Sequence, residues 1–265
     1  MNIEFTKMHG LGNDFVVIDN TNGRITLSPE QVIFLCDRHK GIGGDGVILV
    51  EKKDGADCFM NYINADGSLA QMCGNGVRCT AKFLKDNFSK DKKDFNIATR
   101  SGNKHITYFE DETFSVNMGK AFFESNDFPK HIINLCGLDL NFVSVGNPFA
   151  ISIVDSLEDN NIEALGPLIE NDKNFPNRIN LELVKEKSPN EFEVKVWERG
   201  CGETLACGTG ACAVYALLKK LKNISGEITI EFRGGKLFLS ENKEGDIIMR
   251  GEAKSVYTGM VYVKK

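Results

Sequence analysis

The chain has 265 residues, 42% of them hydrophobic, and a formal net charge of −5 at pH 7. This length and apolar content are enough for a core in one large domain or in each of two smaller ones. The acidic balance argues against nucleic acid or an anionic membrane as the main partner, and no run approaches the roughly 18 apolar residues that a membrane-spanning helix needs.

The first residues, Met1–Phe5, alternate like a strand and lack the basic and apolar regions of a secretion signal. We therefore expect a cytoplasmic protein. The chain contains eight cysteines, and in that compartment their thiols should be reduced.

The first part of the chain predicts mostly strands. Ser28 is a suitable N-cap for a helix that reaches Arg38, with Pro29 at its first position and Gln31 at its third. An apolar run at 77–84 predicts a buried helix. The predicted strands lie within 1–20 on either side of a glycine turn and at 47–50, 57–64, 96–100, 105–109 and 114–118.

The second part of the chain predicts a similar series. A helix is expected around 161–170, and the apolar run 211–221 predicts a second buried helix. The predicted strands lie at 142–145, 150–154, 181–184, 192–197, 228–232, 237–239, 247–250 and 256–263. The composition of these elements predicts a β-rich α/β (α+β) fold with one principal buried helix in each half.

Matching positions recur at a constant offset along the chain. The offset from Cys73 to Cys207 also relates Gly12-Asn13 to Gly146-Asn147, Gly46 to Asn180, and Asn64 to Glu198. Such a match indicates an ancestral duplication. We therefore predict two halves, residues 1–118 together with a returning segment at 254–265, and residues 119–253.

Two cysteines stand at equivalent places in this repeat, each before a predicted buried helix. Cys73-Gly74-Asn75-Gly76 and Cys207-Gly208-Thr209-Gly210 are the two segments. The first amides of a helix have no partner within it, and its dipole favours anions, so we expect both thiols to ionise easily. One thiolate could then take a proton from a carbon while the other thiol returns one to the opposite face.

Other uses of cysteine are less well supported. The spacings within Cys73/Cys79 and Cys201/Cys207/Cys212 do not fit a structural zinc site, no histidine lies near either cluster, and no Cys-x-x-Cys redox motif is present. We predict no metal and no cofactor. Structural burial is the expectation for four further cysteines, and Cys201 is left open between packing and a place beside the site; the four are Cys58, Cys79, Cys136 and Cys212.

A second group of candidates is polar. Four asparagines stand at predicted junctions of strand and turn, where turn formation is the ordinary role of a single asparagine; they are Asn13, Asn64, Asn147 and Asn180. Together with Glu198 and Arg199 they could bind a zwitterion, with Arg199 holding a carboxylate and Glu198 an ammonium group. The amides at Gly74, Asn75, Gly208 and Thr209 could hold the reacting carboxylate.

With these residues in view, the chain resembles diaminopimelate epimerases over essentially its whole length. The resemblance rests on the segments Met8-His9-Gly10-Leu11-Gly12-Asn13-Asp14-Phe15, Asn64-Ala65-Asp66-Gly67-Ser68, Cys73-Gly74-Asn75-Gly76-Val77-Arg78-Cys79, Gly146-Asn147-Pro148, Glu198-Arg199-Gly200 and Ala206-Cys207-Gly208-Thr209-Gly210-Ala211-Cys212-Ala213. It implies two pseudo-symmetric halves, each a curled, mostly antiparallel sheet around a central helix, with the active site in the cleft between them.

The resemblance also implies an activity, the cofactor-independent interconversion of LL- and meso-diaminopimelate for lysine and peptidoglycan synthesis. Cys73 and Cys207 match the two acid/base residues. The matches to substrate-binding positions are Asn13, Asn64, Gly74, Asn75, Asn147, Asn180, Glu198, Arg199, Gly208 and Thr209. Members of the family are commonly homodimers, and the expected partner is a small amino-acid substrate.

Two positions depart from the family pattern. Phe149 stands where the family usually has histidine, and Gly46 where some members have glutamine. Either change could slow the reaction or admit another substrate. Two alternatives therefore stay open: a racemase of the same fold acting on another amino acid, and a catalytically silent amino-acid-binding homologue.

Overall fold

The computed structural model describes residues 1–222 and 224–264. Its strands are β1 (Asn2–Gly10), β2 (Asn13–Asn20), β3 (Gly46–Glu51), β4 (Cys58–Asn64), β5 (Asp94–Thr99), β6 (Gly102–Tyr108), β7 (Thr113–Gly119), β8 (Ile133–Leu135), β9 (Leu138–Ser144), β10 (Pro148–Ile153), β11 (Asn180–Ser188), β12 (Glu191–Glu198), β13 (Gly202–Thr204), β14 (Ile228–Phe232), β15 (Gly235–Glu241), β16 (Ile247–Glu252) and β17 (Lys254–Tyr262). Its helices are α1 (Pro29–Cys36), α2 (Gly74–Asn87), α3 (Ile162–Glu170) and α4 (Gly208–Lys222).

The chain divides into two compact units. Unit 1 comprises Met1–Val116 and the described part of Gly251–Lys265, and unit 2 comprises Asn117–Arg250. The sequence-based limits at 118/119 and 253/254 differ from these, and that domain assignment stays a prediction. Lys265, the last residue of the predicted returning segment, lies outside the described residues.

In unit 1 the strands pair in a fixed sequence around the two helices. β1 pairs antiparallel with β2, β2 pairs parallel with β3 across α1, and β3 pairs antiparallel with β4. β4 then pairs parallel with β5 across α2, and β5 pairs antiparallel with β6. Each parallel pair needs a long connection, and a helix supplies it. β17 lies antiparallel to β1.

Unit 2 repeats this order. β9 pairs antiparallel with β10, β10 pairs parallel with β11 across α3, and β11 pairs antiparallel with β12. β12 pairs parallel with β14 across α4, and β14 pairs antiparallel with β15. The two units therefore share one topology, which confirms the predicted fold of two like halves from an internal duplication.

One helix lies at the centre of each unit. The residues of α2 from Asn75 to Ala81 are all buried, and α2 contacts β1 to β6 and β17. In α4 the residues from Gly210 to Tyr215 are buried, and the helix contacts β9, β10, β11 and β15. The burial is concentrated in the N-terminal part of each helix, where the apolar runs of the sequence lie.

Helix α1 begins as predicted but ends early. Ser28 is its N-cap, and Ser28 and Gln31 form a reciprocal capping box. The helix ends at Cys36, because Asp37 is extended (φ −62°, ψ 121°) and its carboxylate accepts hydrogen bonds from the amides of His39 and Lys40. An aspartate that binds the following amides competes with helix continuation, so the predicted extension to Arg38 was wrong.

The buried cysteines follow the prediction with one exception. Cys58, Cys79 and Cys212 are buried, and burial raises the pKa of both Cys58 and Cys79 to about 12. Cys136 is exposed, against the expectation. It occupies the two-residue turn of the β8–β9 hairpin with φ +55°, followed by Gly137 with φ +82°, and such turns lie at the surface.

Candidate functional site

Cys73 is the N-cap of helix α2. Its backbone is extended (φ −139°, ψ 122°), its Sγ accepts a hydrogen bond from the Gly76 amide at 3.5 Å, and its carbonyl accepts one from the Val77 amide at 2.9 Å. The helix is thus capped by a sulfur atom in the role usually taken by a serine or aspartate oxygen. Gly76 packs closely in this turn, since a β-carbon there would lie 3.3 Å from the Ile48 δ-carbon.

Two predicted binding residues lie beside this cysteine. The Cys73 thiol donates to Oδ1 of Asn13 at 3.5 Å, and Asn75 Nδ2 donates to the same oxygen at 3.2 Å. Asn13 Nδ2 donates to Asp45 at 2.6 Å, which fixes the orientation of the Asn13 amide. The turn after β1, the loop before β3 and the start of α2 therefore meet at the Cys73 sulfur.

Two residues that the sequence reasoning missed hold this cluster in place. Arg78 is fully buried; its Nη2 donates to Asn75 Oδ1 at 2.7 Å and its Nε donates to the Glu252 carbonyl at 3.2 Å. Asp45 is held in turn by Arg38 at 2.9 Å. Arg78 gave one signal, a charged residue inside an apolar run on a predicted buried helix, because a buried charge needs partners.

Asn64 and Gly46 lie opposite each other where β3 and β4 pair. Asn64 Nδ2 donates to Ser68 Oγ at 3.0 Å, and the Asn64 amide donates to the Ser68 carbonyl, so the residue closes the turn after β4. A β-carbon on Gly46 would lie 2.5 Å from the Ile63 carbonyl oxygen. Position 46 therefore has no room for a side chain in this backbone arrangement.

Cys207 directly precedes α4 with the same contacts as Cys73. Its Sγ accepts a hydrogen bond from the Gly210 amide at 3.3 Å, and its carbonyl accepts one from the Ala211 amide at 2.9 Å. Thr209 Oγ1 lies 3.5 Å from the sulfur. In both units, therefore, the cysteine sulfur accepts a hydrogen bond from the amide three residues further along the chain.

The ionisation expected for Cys207 is wrong for this structure. Burial raises the pKa of its thiol well above the ordinary 9.0, and Glu198 and Glu182 raise it further. The Thr209 hydroxyl and the Gly210 amide act in the opposite direction, with smaller effect. The helix terminus does favour a thiolate, but removal of the sulfur from water outweighs it.

Asn180 joins the segments that carry the other predicted residues of unit 2. It is buried, its Nδ2 donates to the Pro148 carbonyl at 2.7 Å, and its Oδ1 accepts from the Arg199 amide at 3.0 Å. Arg199 Nη1 donates to the Asn177 carbonyl at 2.9 Å, and Glu198 accepts from the Thr204 hydroxyl at 2.6 Å. The side chain of Asn180 thus ties the turn before β10 to the end of β12.

A buried glutamate, also missed from the sequence, supports the same turn. Glu170 at the end of α3 accepts hydrogen bonds from Trp197 Nε1 at 2.7 Å, the Gly200 amide at 2.9 Å and Arg178 Nη1 at 3.0 Å. It thereby holds the residues on both sides of Glu198-Arg199. Its position on the helix α3 gave no sequence signal, because its partners come from distant strands and loops.

The turn before β10 presents Asn147 and Phe149 differently. Asn147 is exposed, next to Gly146 at φ +82°. Phe149 is fully buried and lies beside Asn180 in the parallel β10–β11 pair. The position that departs from the family pattern is therefore filled by a core side chain without a titratable group.

In the described part of the chain, no group of three or more His, Cys, Asp or Glu side chains is placed to hold a metal ion. None of the helices within residues 1–222 and 224–264 is both long and apolar enough to cross a bilayer.

The fold is shared with a solved structure. The phenazine biosynthesis protein of the PhzF family from Bacillus anthracis has a TM-score of 0.76 with this chain, at 18% sequence identity, and the match covers 99% of this chain and 100% of the other. At that identity the likeness shows the fold alone.

Sequence comparison identifies the family. A family model described as diaminopimelate epimerase matches residues 5–124 and 141–256. A diaminopimelate epimerase of Leptospira biflexa is 39% identical over 280 residues, covering 99% of this chain and 100% of its own length. That of Nitrosospira multiformis is 38% identical over 273 residues, covering 98% and 99%. The protein is therefore an enzyme of the isomerase class. The chain belongs to the diaminopimelate epimerase family.

Proposed function

We propose that the protein interconverts LL- and meso-diaminopimelate without a cofactor, with Cys73 and Cys207 as its two acid/base residues. The observation that carries the proposal is the repeated capping geometry, in which each unit offers one sulfur at the N-terminus of its central helix. The family match supports diaminopimelate as the substrate. As a member of that family, the enzyme would act in lysine and peptidoglycan synthesis.

The reaction needs one thiolate and one thiol. The thiolate removes the α-proton from one face of the substrate, leaving a carbanion, and the opposite thiol protonates that carbanion from the other face. The configuration inverts, and the two sulfurs end with their protonation states exchanged. The reverse reaction uses the same groups in the opposite roles.

The other predicted residues divide between binding and support. We propose that the amides of Gly74, Asn75, Gly208 and Thr209, at the starts of the two helices, hold the reacting carboxylate and the charge that develops on it. The remaining substrate-binding candidates are Asn13, Asn64, Asn147, Asn180, Glu198 and Arg199. Asn13 and Asn180 already hold neighbouring groups in place, which supports a positioning role for both.

The setting of the enzyme is part of the proposal. The chemistry requires reduced thiols, which favours the cytoplasm, and all eight cysteines are free thiols in the structure. We also propose a homodimer, as is common in the family, which analytical ultracentrifugation of the full chain would test.

The decisive experiment follows α-proton exchange. Reduced enzyme is incubated with LL-diaminopimelate in D₂O, with loss of the α-proton followed by NMR and the meso product by chiral chromatography. Because each thiol carries one proton transfer, we expect Cys73→Ala and Cys207→Ala each to lose about 10²- to 10⁴-fold in rate. Cys136→Ala, which removes an exposed thiol on a hairpin turn, is the matched control and should keep the activity of the parent.

Two results would contradict the proposal. Exchange on another amino acid but not on diaminopimelate would identify a racemase, and the buried Phe149 and the closed position at Gly46 would be the places to seek its specificity. Binding without any exchange would identify a silent homologue. A Phe149→His variant separates these cases, because it restores the titratable group and should gain activity only if its loss silenced the enzyme.

A further inference from the structure

Glu182 on β11 is a buried carboxyl group that the mechanism above does not use. Its side chain is fully buried, and within the described residues neither of its oxygens has a hydrogen-bond partner. Burying an acceptor without a partner destabilises the folded state, and more so if the acceptor is charged. By contrast, the buried Glu170 accepts three hydrogen bonds. A buried group that is left unpaired requires a reason.

The carboxyl group lies against the first turn of α4. A β-carbon placed on Gly210 would be 1.7 Å from Glu182 Oε1 and 3.2 Å from the Cys207 β-carbon, so the carboxyl and the cysteine side chain flank the same point. The Gly210 amide is also the one that donates to Cys207 Sγ. The glycine at this position makes room for Glu182 beside the reactive sulfur.

The charged surroundings of this pair are acidic. Burial raises the pKa of Glu182 well above the ordinary 4.5, and the charge of Glu198 on β12 raises it further. Cys207 faces Glu198 from β12 and Glu182 from β11, while α4 contributes the Thr209 hydroxyl and the Gly210 amide. Two carboxyl groups and one thiol therefore share a region poor in water.

Such a group of acids loses its protons in a definite order. A buried carboxyl remains a stronger acid than a buried thiol, because their ordinary pKa values are 4.5 and 9.0 and burial raises both. As the pH rises, Glu182 therefore ionises before Cys207, and its charge then opposes a second one beside it. At lower pH the thiol is protonated in any case. Cys207 keeps its proton on both sides of the Glu182 titration.

We propose that Glu182 is a positioning residue that holds Cys207 in the thiol form, so that Cys207 is the proton donor of the resting enzyme and Cys73 the base. This inference rests on the proposed two-cysteine reaction and assigns the starting protonation state that the reaction leaves open. It gives the asymmetry a cause in the chain, since Glu182 lies against the first turn of α4, the helix that follows Cys207.

The test titrates Cys207 directly, without substrate. The ultraviolet absorbance of the thiolate is recorded against pH. The curve of the parent minus that of Cys207→Ala gives the titration of Cys207 beside Glu182. The curve of Glu182→Gln minus that of Glu182→Gln/Cys207→Ala gives the titration of Cys207 without the carboxyl group. Glutamine keeps the size of the side chain and removes its charge. We expect the Cys207 midpoint to fall by about one pH unit or more, a tenfold larger thiolate fraction at a fixed pH below the midpoint.

Matched variants separate charge from packing. Glu182→Asp retains a carboxyl group and should keep the Cys207 midpoint of the parent. Glu182→Met fills the site without a polar group and should reproduce the shift of Glu182→Gln. It also replaces the glutamine variant if that variant does not fold. Glu170→Gln removes a buried carboxyl of the same unit that is already paired, and it should leave the midpoint in place. The Cys73 midpoint, taken from the corresponding Cys73→Ala differences, should not move in any of them.

The effect of Glu182→Gln on kcat should depend on the direction of the reaction. In Glu182→Gln we expect kcat to fall about tenfold in the direction in which Cys207 donates the proton, with KM unchanged. An unchanged or raised Cys207 midpoint in both Glu182→Gln and Glu182→Met, or a Glu182→Asp variant that shifts like them, would overturn the inference. A parent enzyme that exchanges no α-proton would instead overturn the proposed function, and the titration would still report on Glu182.

Discussion

At the scale of residues, ion pairs in the folded protein hold side chains near Cys73 in place. Asp14, next to Asn13, lies 2.6 Å from Lys7 Nζ and accepts from both terminal nitrogens of Arg38 at 2.7 and 3.0 Å. Burial alone would raise the pKa of Asp14, but the hydrogen bonds from Arg38 and Lys7 outweigh it and lower the pKa from 3.8 to about 2. The same arginine reaches Asp45, the partner of Asn13.

This shift predicts how stability depends on pH. A carboxyl group whose pKa is lower in the folded state stabilises the protein above its unfolded pKa, and the contribution is lost as the pH falls through the folded pKa. We expect the free-energy difference between the parent and Asp14→Asn to shrink by about 1 kcal/mol between pH 3.8 and 2, after allowance for solvent screening at the exposed Arg38. Urea unfolding across that range measures it.

A control variant tests the source of that pH dependence. Asp54 is exposed in the turn before β4, and Asp54→Asn should follow the parent curve. A parent-to-Asp14→Asn difference that stays constant from neutral pH to pH 2 would show that the ion pairs do not stabilise the fold.

At the scale of elements, helix α3 serves as a support for the turn that carries Glu198 and Arg199. Gly166 on α3 packs directly on the indole of Trp197, so that a β-carbon there would lie 2.2 Å from the ring. Glu170, one turn further along, accepts the hydrogen bond of the same indole. The helix therefore fixes the strand β12 immediately before its two predicted binding residues.

This packing predicts the effect of one methyl group. Gly166→Ala must displace the Trp197 ring, since side chains in a close-packed core have no free space, and overpacking of this kind typically costs about 1–3 kcal/mol. We expect lower stability by that amount and a raised KM for diaminopimelate, because Arg199 moves with the strand. Thermal unfolding and steady-state kinetics on the same samples measure both.

The control is a glycine that has open space around it. Gly76 is unsuitable, because a β-carbon there would lie 3.3 Å from the Ile48 δ-carbon and the residue lies beside Cys73. Gly55 lies in an exposed turn, and a β-carbon there would have no atom within 4 Å. Gly55→Ala forces a residue with a side chain to φ +78° and should cost stability without changing KM. Equal KM values for Gly166→Ala and the parent would refute the supporting role of α3.

At the scale of the whole molecule, the two ends of the chain belong to the same unit. β17 pairs with β1 from Asn2↔Tyr262 to His9↔Lys254, and the Val263 amide donates to the Met1 carbonyl at 2.8 Å. Val263 is buried in the core of unit 1 with Ile3 and Val16. Unit 1 is thus complete only when the last segment of the chain has returned to it.

This topology predicts a severe effect of truncation. A chain that ends at residue 253 lacks β17, leaves the whole of β1 unpaired on one side and removes Val263 from the core. Because domains are stabilised by only about 5–15 kcal/mol, we expect unit 1 not to fold. Circular dichroism and limited proteolysis measure whether unit 1 is folded. Removal of 264–265 alone is the control and should be neutral; a truncated chain that resists proteolysis across unit 1 would disprove the dependence.

Sequence reasoning recovered features that depend on neighbouring residues. The capping box of α1, the starts of α2 and α4, and most strands follow from local patterns, since a helix N-terminus or an alternating strand is written within a few residues. The short strands β8 and β13 were missed, because three residues carry too little pattern. The end of α1 was misplaced, since the Asp37 side chain, not the periodicity, ended the helix.

The sequence by itself determined the duplication, the family and the two cysteines at the starts of buried helices, because repeat spacing and helix signals are properties of the chain. Only the tertiary structure decided which groups surround those cysteines. Arg78, Glu170 and Glu182 become buried beside the candidate residues through strands and helices distant in sequence, and burial raised the pKa of Cys207 where the helix terminus alone predicted a lower one. Solvent exclusion and the arrangement of charges arise from packing, and no local pattern in the sequence records them.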